Sequence, residues 1–151
     1  MRPPLIIGIG NPTRSDDGAG PRVVTALARL IPWGDYRVVQ QLTPELAYDL
    51  SQAHEVLFVD ASVAAAGLQA TVVVPSDMPV GTHVASPGAL LQLTAQLYGQ
   101  APARALEVAI PAHDLGFGEE LSPATERWVG QAVTRLAAYL DGEPGGPWLP
   151  Q

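Results

Sequence analysis

The stretch Leu5-Ile6-Ile7-Gly8-Ile9-Gly10-Asn11-Pro12-Thr13-Arg14-Ser15-Asp16-Asp17-Gly18-Ala19-Gly20-Pro21 decides the fold. Leu5 to Ile9 is a continuous apolar run rich in β-branched residues, as in a strand buried on both faces. Asn11-Pro12 breaks it. A helix is predicted to begin near Asp16 or Asp17, because Ala19, Val23, Ala26, Leu27 and Leu30 recur at helical spacing. Pro21 falls in its first turn, where the missing N–H is not needed.

Outward from this unit the alternation continues. Tyr36-Arg37-Val38-Val39 reads as a second strand. Thr43-Pro44-Glu45 opens a helix to about Gln52, with Thr43 as cap and Pro44 at the first helical position. Glu55 to Asp60 is a third strand, apolar from Val56 to Val59, and Ala70 to Val74 a fourth. Ser86-Pro87 starts a helix to about Tyr98, with Leu90, Leu91, Leu93 and Leu97 on its apolar side. Arg104 to Ile110 is a fifth strand. Ser122-Pro123 caps a last helix to about Leu140, whose apolar positions are Val129, Ala132, Val133, Leu136 and Leu140. This order predicts a three-layer α/β/α domain over 1–140, with a five-stranded, mostly parallel twisted sheet covered by helices on both faces. Asp141 to Gln151 holds three Gly and three Pro and reads as a flexible tail, with Trp148 mobile in it.

Composition narrows the function. The 151 residues suit one domain, and 47% are apolar, enough for a core of its own. Asp and Glu outnumber the cations by 15 to 8, a net charge of −7, which argues against a non-specific nucleic-acid binder. All eight cations are Arg, so Schiff-base and P-loop lysines are excluded. There is no Cys, hence no disulfide, thiolate nucleophile or cysteine-ligated metal. No apolar run approaches a membrane span, and the start lacks a signal-peptide pattern. A soluble, cytoplasmic protein is expected, a monomer by default.

In open parallel sheets, sites form beyond the carboxyl ends of the strands. Gly8 and Gly10 invite a dinucleotide reading, but the third glycine of GxGxxG falls on Thr13, and Asp16 and Asp17 would repel a phosphate at the helix start. The same carboxylates suit a cation. Asp17 near a helix N-terminus, Asp60 at the end of an apolar strand and His83 in the loop after the next strand form a plausible metal-ligating set. Each has a plainer reading. An Asp at a helix start is usually a cap, an Asp at a strand end often bonds a nearby loop, and a loop His is usually idle. His113-Asp114 reads as a loop polar pair, and His54 as an exposed helix end. HExxH and GxSxG motifs are absent.

Gly8-Ile9-Gly10-Asn11-Pro12 followed by Asp16-Asp17-Gly18-Ala19-Gly20-Pro21 resembles the N-terminal signature of the hydrogenase maturation proteases. These endopeptidases trim the C-terminus of the nickel–iron hydrogenase large subunit. Phe58-Val59-Asp60-Ala61 resembles their second acidic motif. Thr82-His83 with Ser86-Pro87 and Leu90-Leu91 resembles their histidine motif, and Gly118 with Leu121-Ser122 the segment before their last helix. The resemblance covers roughly residues 4–140. It implies that Asp17, Asp60 and His83 are both the metal ligands and the catalytic residues. It implies a hydrogenase large-subunit precursor as partner, with nickel arriving on that precursor; another divalent metal could substitute. Water is then the expected attacker. Gln40-Gln41-Leu42-Thr43-Pro44-Glu45-Leu46 departs from the glycine-bearing loop of many members, which leaves the substrate subgroup open. Asp16, about 100° around the helix start from Asp17, is the candidate for a cap or loop anchor. A non-cutting, nickel-sensing partner of the precursor and a nucleotide-binding α/β domain are the alternatives.

Overall fold

The computed structural model describes residues 2–77 and 85–143. Five strands, β1 (Leu5–Ile9), β2 (Asp35–Val39), β3 (Glu55–Ser62), β4 (Gln69–Val72) and β5 (Arg104–Pro111), form one sheet in the order β2-β1-β3-β5-β4. The four helices are α1 (Ala19–Leu30), α2 (Ala47–Ser51), α3 (Pro87–Tyr98) and α4 (Pro123–Leu140). Strands β1, β2, β3 and β5 pair in parallel, and β4 lies antiparallel on β5. The exception has a simple cause: the connection from Ser62 to Gln69 is too short for the helical crossover that a parallel neighbour needs.

Alternation along the strands splits the core. Ile6, Leu57, Val59, Leu106, Val108 and Ile110 face α1 and α4, where they meet Val23, Leu27, Ala132 and Leu136. Leu5, Ile7, Val56, Phe58 and Ala105 face α2 and α3, where they meet Leu46, Leu50, Leu90 and Leu91. The predicted three-layer fold is the observed one.

Local departures have local reasons. Before α1, Ser15–Gly18 winds as a 3₁₀ turn and not as the helix start. Pro44–Leu46 is likewise a 3₁₀ turn; Thr43 makes no side-chain cap bond, and its carbonyl accepts the Leu46 N–H at 3.1 Å. Ser86 and Ser122 do cap, accepting the Ala89 N–H at 3.1 Å and the Thr125 N–H at 3.3 Å. Leu97 is 60% exposed, because Leu90, Leu91 and Thr94 already fill the buried face of α3. The strand read as Ala70–Val74 runs Gln69–Val72. Of the tail, 144–151 with Trp148 lies outside the described residues. No described helix is long and apolar enough to cross a membrane.

Two glycines set how closely α1 packs on the sheet. A Cβ on Gly20 would lie 2.4 Å from the Val59 carbonyl oxygen and 2.7 Å from that of Ile9. A Cβ on Gly8 would lie 2.7 Å from the Gly20 carbonyl oxygen. Both obstacles are backbone, which cannot yield cheaply. Gly20→Ala should therefore cost about 3 kcal/mol of unfolding free energy in urea titration. Gly130→Ala, on an exposed face of α4 with open space around it, should instead stabilise by roughly 0.5–1 kcal/mol.

Candidate active site

The loop leaving β1 is shaped by hydrogen bonds that begin with Asn11. Its side-chain oxygen accepts the Thr13 N–H at 2.9 Å and hydroxyl at 2.7 Å, and its own N–H donates to Asp17 Oδ2 at 2.7 Å. Gly10, at φ +146°, lets the loop fold back; a Cβ there would sit 1.9 Å from the Asp17 carbonyl oxygen.

The 3₁₀ turn is stitched to the distant segment 113–122. Ser15 N–H donates to the Gly118 carbonyl at 2.8 Å, Gly118 N–H to Thr13 at 2.9 Å and Asp16 N–H to Asp114 at 2.8 Å. Asp16 is the hub, with no exposed surface. Its carboxylate accepts from the backbone N–H of His113 (2.8 Å), Asp114 (2.9 Å) and Ser122 (2.7 Å), and from the Ser122 hydroxyl (2.8 Å). Burial alone would raise its pKa, but these four donors outweigh it and bring the group down to about 2. Asp16 is thus a loop anchor, as its position beside Asp17 indicated. The side chains of His113 and Asp114 are exposed, and the pair serves through its backbone.

With Asp16 turned inward, Asp17 faces a cleft of about 360 Å³ at the carboxyl ends of the strands. Ile9, Gly10, Asp17, Gln40, Leu42 and Asp60 line it, with Ala85, Ser86 and Pro87 at the start of α3. Asp60 is the register partner of Ile9, which places it beside the turn that carries Asp17. The connections leaving β1 and β3 diverge here, so the crevice lies where open α/β sheets place their ligands. The cavity of about 400 Å³ lined by Arg2, His54 and Gln100 lies at the opposite strand ends and gathers no carboxylate.

Asp60 has the most disturbed environment in the cleft. Burial pushes its pKa up; the Ala61 N–H opposes this, and the negative charges of Glu107 and Asp17 add to it, giving about 6. Neither Asp17 nor Asp60 forms an ion pair with a described cation. The sequence reading missed Glu107, a half-buried carboxyl raised by burial, which β5 carries on the same sheet face as Asp60. A lone charge inside the apolar run Arg104 to Ile110 was the available signal. It also missed the lining role of Gln40, Gln41 and Leu42. His83 lies outside the described residues, two positions ahead of Ala85. Among the described residues no three His, Asp or Glu side chains converge closely enough to hold a metal. Asp17 and Asp60 supply two carboxylates to one cleft.

No protein-family model matches this chain, and no curated protein matches it. Solved structures do. The hydrogenase maturating endopeptidase HybD from E. coli aligns over 93% of both chains at 21% identity and TM-score 0.72. The [NiFe] hydrogenase maturation protease HycI from Thermococcus kodakarensis KOD1 aligns over 93% of both at 20% identity and TM-score 0.70. The hydrogenase 2 maturation peptidase from Thaumarchaeota archaeon SCGC_AB-539-E09 aligns over 94% of this chain and 99% of its own, at 22% identity and TM-score 0.67. At these identities the likeness is one of fold.

Buried Asp16 and half-buried Asp60 should pull stability in opposite directions with pH. The native pKa of Asp60 stands above its ordinary value, so the folded state binds the extra proton and loses stability as pH rises from about 4 to 6. That of Asp16 stands below, so its contribution is present above about pH 4 and is lost as pH falls towards 2. Urea unfolding across this range should show Asp60→Asn removing the loss between pH 4 and 6. Asp16→Ala should cost about 3 kcal/mol at pH 7, since it strands three backbone N–H groups.

Proposed function

We propose that this chain is an endopeptidase that removes the C-terminal extension of a nickel–iron hydrogenase large-subunit precursor after nickel has been inserted. The observation that carries this reading is the convergence of Asp17 and Asp60, unpaired with any described cation, on the cleft at the strand ends. The likeness of fold to maturation endopeptidases over 93% of the chain supports it.

The donor chemistry fits a divalent ion carried by the substrate. Two mutually repelling carboxylates, one half-buried, gain most from a cation that neutralises them both. Asp17, Asp60 and His83 are the proposed ligands, a mixed oxygen and nitrogen set suited to a borderline metal such as nickel. Such an ion supplies Lewis-acid polarisation of a carbonyl or of water. Serine in a nucleophile elbow, cysteine and lysine are all wanting in the sequence, so water is the attacker. A carboxylate of the cleft is the proposed base that accepts a proton from water and returns it to the leaving amine. Cleavage is conditional on the metal, because an unloaded precursor leaves the two carboxylates without a cation, and processing acts as a checkpoint on metal insertion.

The test mixes the purified chain with nickel-loaded and nickel-free precursor from the same source and reads the product masses. Only the loaded form should shorten. Asp17→Asn, Asp60→Asn and His83→Gln should each lower the rate by at least about a hundredfold with the circular dichroism unchanged. Unaltered processing by all three variants would overturn the site. Complex formation without shortening would assign the chain to a non-cutting, nickel-sensing partner.

A further inference from the structure

The sheet ends on one side at β2, and among the described residues that edge is open over a short length. Asp35 N–H donates to the Pro4 carbonyl at 3.1 Å, and the Val39 carbonyl accepts the Gly10 N–H at 2.9 Å. In a parallel ladder this fixes the alternation: residues 35, 37 and 39 bond to β1, while Tyr36, Val38 and Gln40 turn their amide groups outward. The outward carbonyl of Tyr36 is covered, since the Arg37 guanidinium donates to it at 3.0 Å. No described residue covers the N–H or carbonyl of Val38 or the N–H of Gln40. Edges are usually blunted along their whole length. Among the described residues this one is blunted at its start and open where it reaches the cleft, which Gln40 and Gln41 line.

A second feature lies beside the open part. Val38, 51% exposed, borders a hollow of about 270 Å³ on the α1 side of the sheet. Pro12, Pro21 and Leu121 give it apolar walls, and Arg22 and Glu119 stand among its polar residues. A strand laid along β2 would bond to Val38 and Gln40 and set one side chain into this hollow. Its next residues would enter the cleft, since extended chain advances about 3.3 Å per residue.

Resting on the protease reading, we propose that the open edge of β2 binds the substrate polypeptide by strand addition. It would hold an extended segment adjoining the scissile bond through Val38 and Gln40, with one side chain in the hollow beside Val38. Charge selects this occupant over a second copy of the chain. Pairing two such edges would bring together two clefts that each carry Asp17 and Asp60, in a protein of net charge −7. A segment leading to a metal-bearing end complements that charge. Main-chain bonds give such docking its affinity and the hollow gives it selectivity.

Val38→Pro tests the proposal directly. It deletes the outward N–H, leaves the bonds from 35, 37 and 39 to β1 intact and suits an outward edge position. With nickel-loaded precursor it should raise KM about tenfold while kcat stays within about twofold, and Val38→Thr, which keeps the N–H, should raise KM by less than about threefold. An independent readout needs no variant. In the wild-type chain saturated with a synthetic peptide spanning the precursor's C-terminal segment, exchange of the Val38 and Gln40 amides should slow at least about tenfold. Unprotected amides together with an unchanged KM in a folded Val38→Pro would overturn the edge while the protease stands. Protected amides without any shortening of the precursor would keep the edge and overturn the protease. Self-association that Val38→Pro abolishes, without protection by peptide, would give the edge to a second copy and overturn the proposal.

Discussion

Everything at the carboxyl edge of this sheet depends on one buried carboxylate. Asp16 has no exposed surface, and an ionised carboxyl without partners in such a place would cost several kcal/mol. It is tolerated because three backbone N–H groups and one hydroxyl converge on its two oxygens. Those donors come from 113, 114 and 122, about a hundred residues further along the chain. The bond therefore closes the ring between the loop after β1 and the loop after β5. It also fastens the start of α4, whose cap Ser122 gives both its N–H and its hydroxyl to Asp16 while accepting from Thr125. Thr125 in turn donates to the carbonyl of Pro111 at the end of β5 at 2.9 Å. The result is a rigid floor from which Asp17 projects.

The adjacent acids show how one residue step reverses an electrostatic fate. Asp16 is surrounded by donors and stays ionised far into acid. Asp17 receives the Asn11 N–H and then faces another carboxylate across the cleft. Asp60 completes the contrast, since burial and two negative neighbours all favour its protonated form. A protein that wanted only stability would neutralise such a pair with one of its eight arginines. None of the described ion pairs involves either residue; they join Arg37 to Asp35 and Asp49, and Arg104 to Glu55. The uncompensated charge is consistent with a ligand that brings its own.

The sequence made the architecture legible because each strand and helix carried its own signal. The β-branched runs at 5–9 and 55–60 and the Ser-Pro pairs at 86–87 and 122–123 are local codes, and the strands and helix starts appear where they point. The anchoring of Asp16 was legible for a similar reason, because neighbours on a helical turn cannot share a direction. Long-range pairings were not legible. Nothing within 13–18 announces 113–122, and the Glu107 charge beside Asp60 is created by strand register alone. The edge at β2 is likewise a property of strand order, which short connections constrain but do not spell out. Thr43 and Leu97 misled because a cap and an apolar stripe each need a neighbour in the right place. At Thr43 the chain enters a 3₁₀ turn, and at Leu97 the buried face of α3 is already filled by Leu90, Leu91 and Thr94.

The same geometry explains why the glycines of the opening motif are spent on packing and not on phosphate. Gly8 and Gly20 bring α1 against β1 and β3 at backbone contact distance, and Gly10 brings the loop back onto Asp17. A phosphate would need free N–H groups at the start of α1. The turn there is already committed: Ser15 donates to Gly118, Asp16 to Asp114 and Asp17 to Arg14. What the turn offers outward is the Asp17 carboxylate, which repels an anion and attracts a cation. A glycine-rich loop between strand and helix is therefore read by the sign of what it presents. Here the close approach of α1 sets a negative group at the switch point of the sheet, and that sign disfavours a phosphate there.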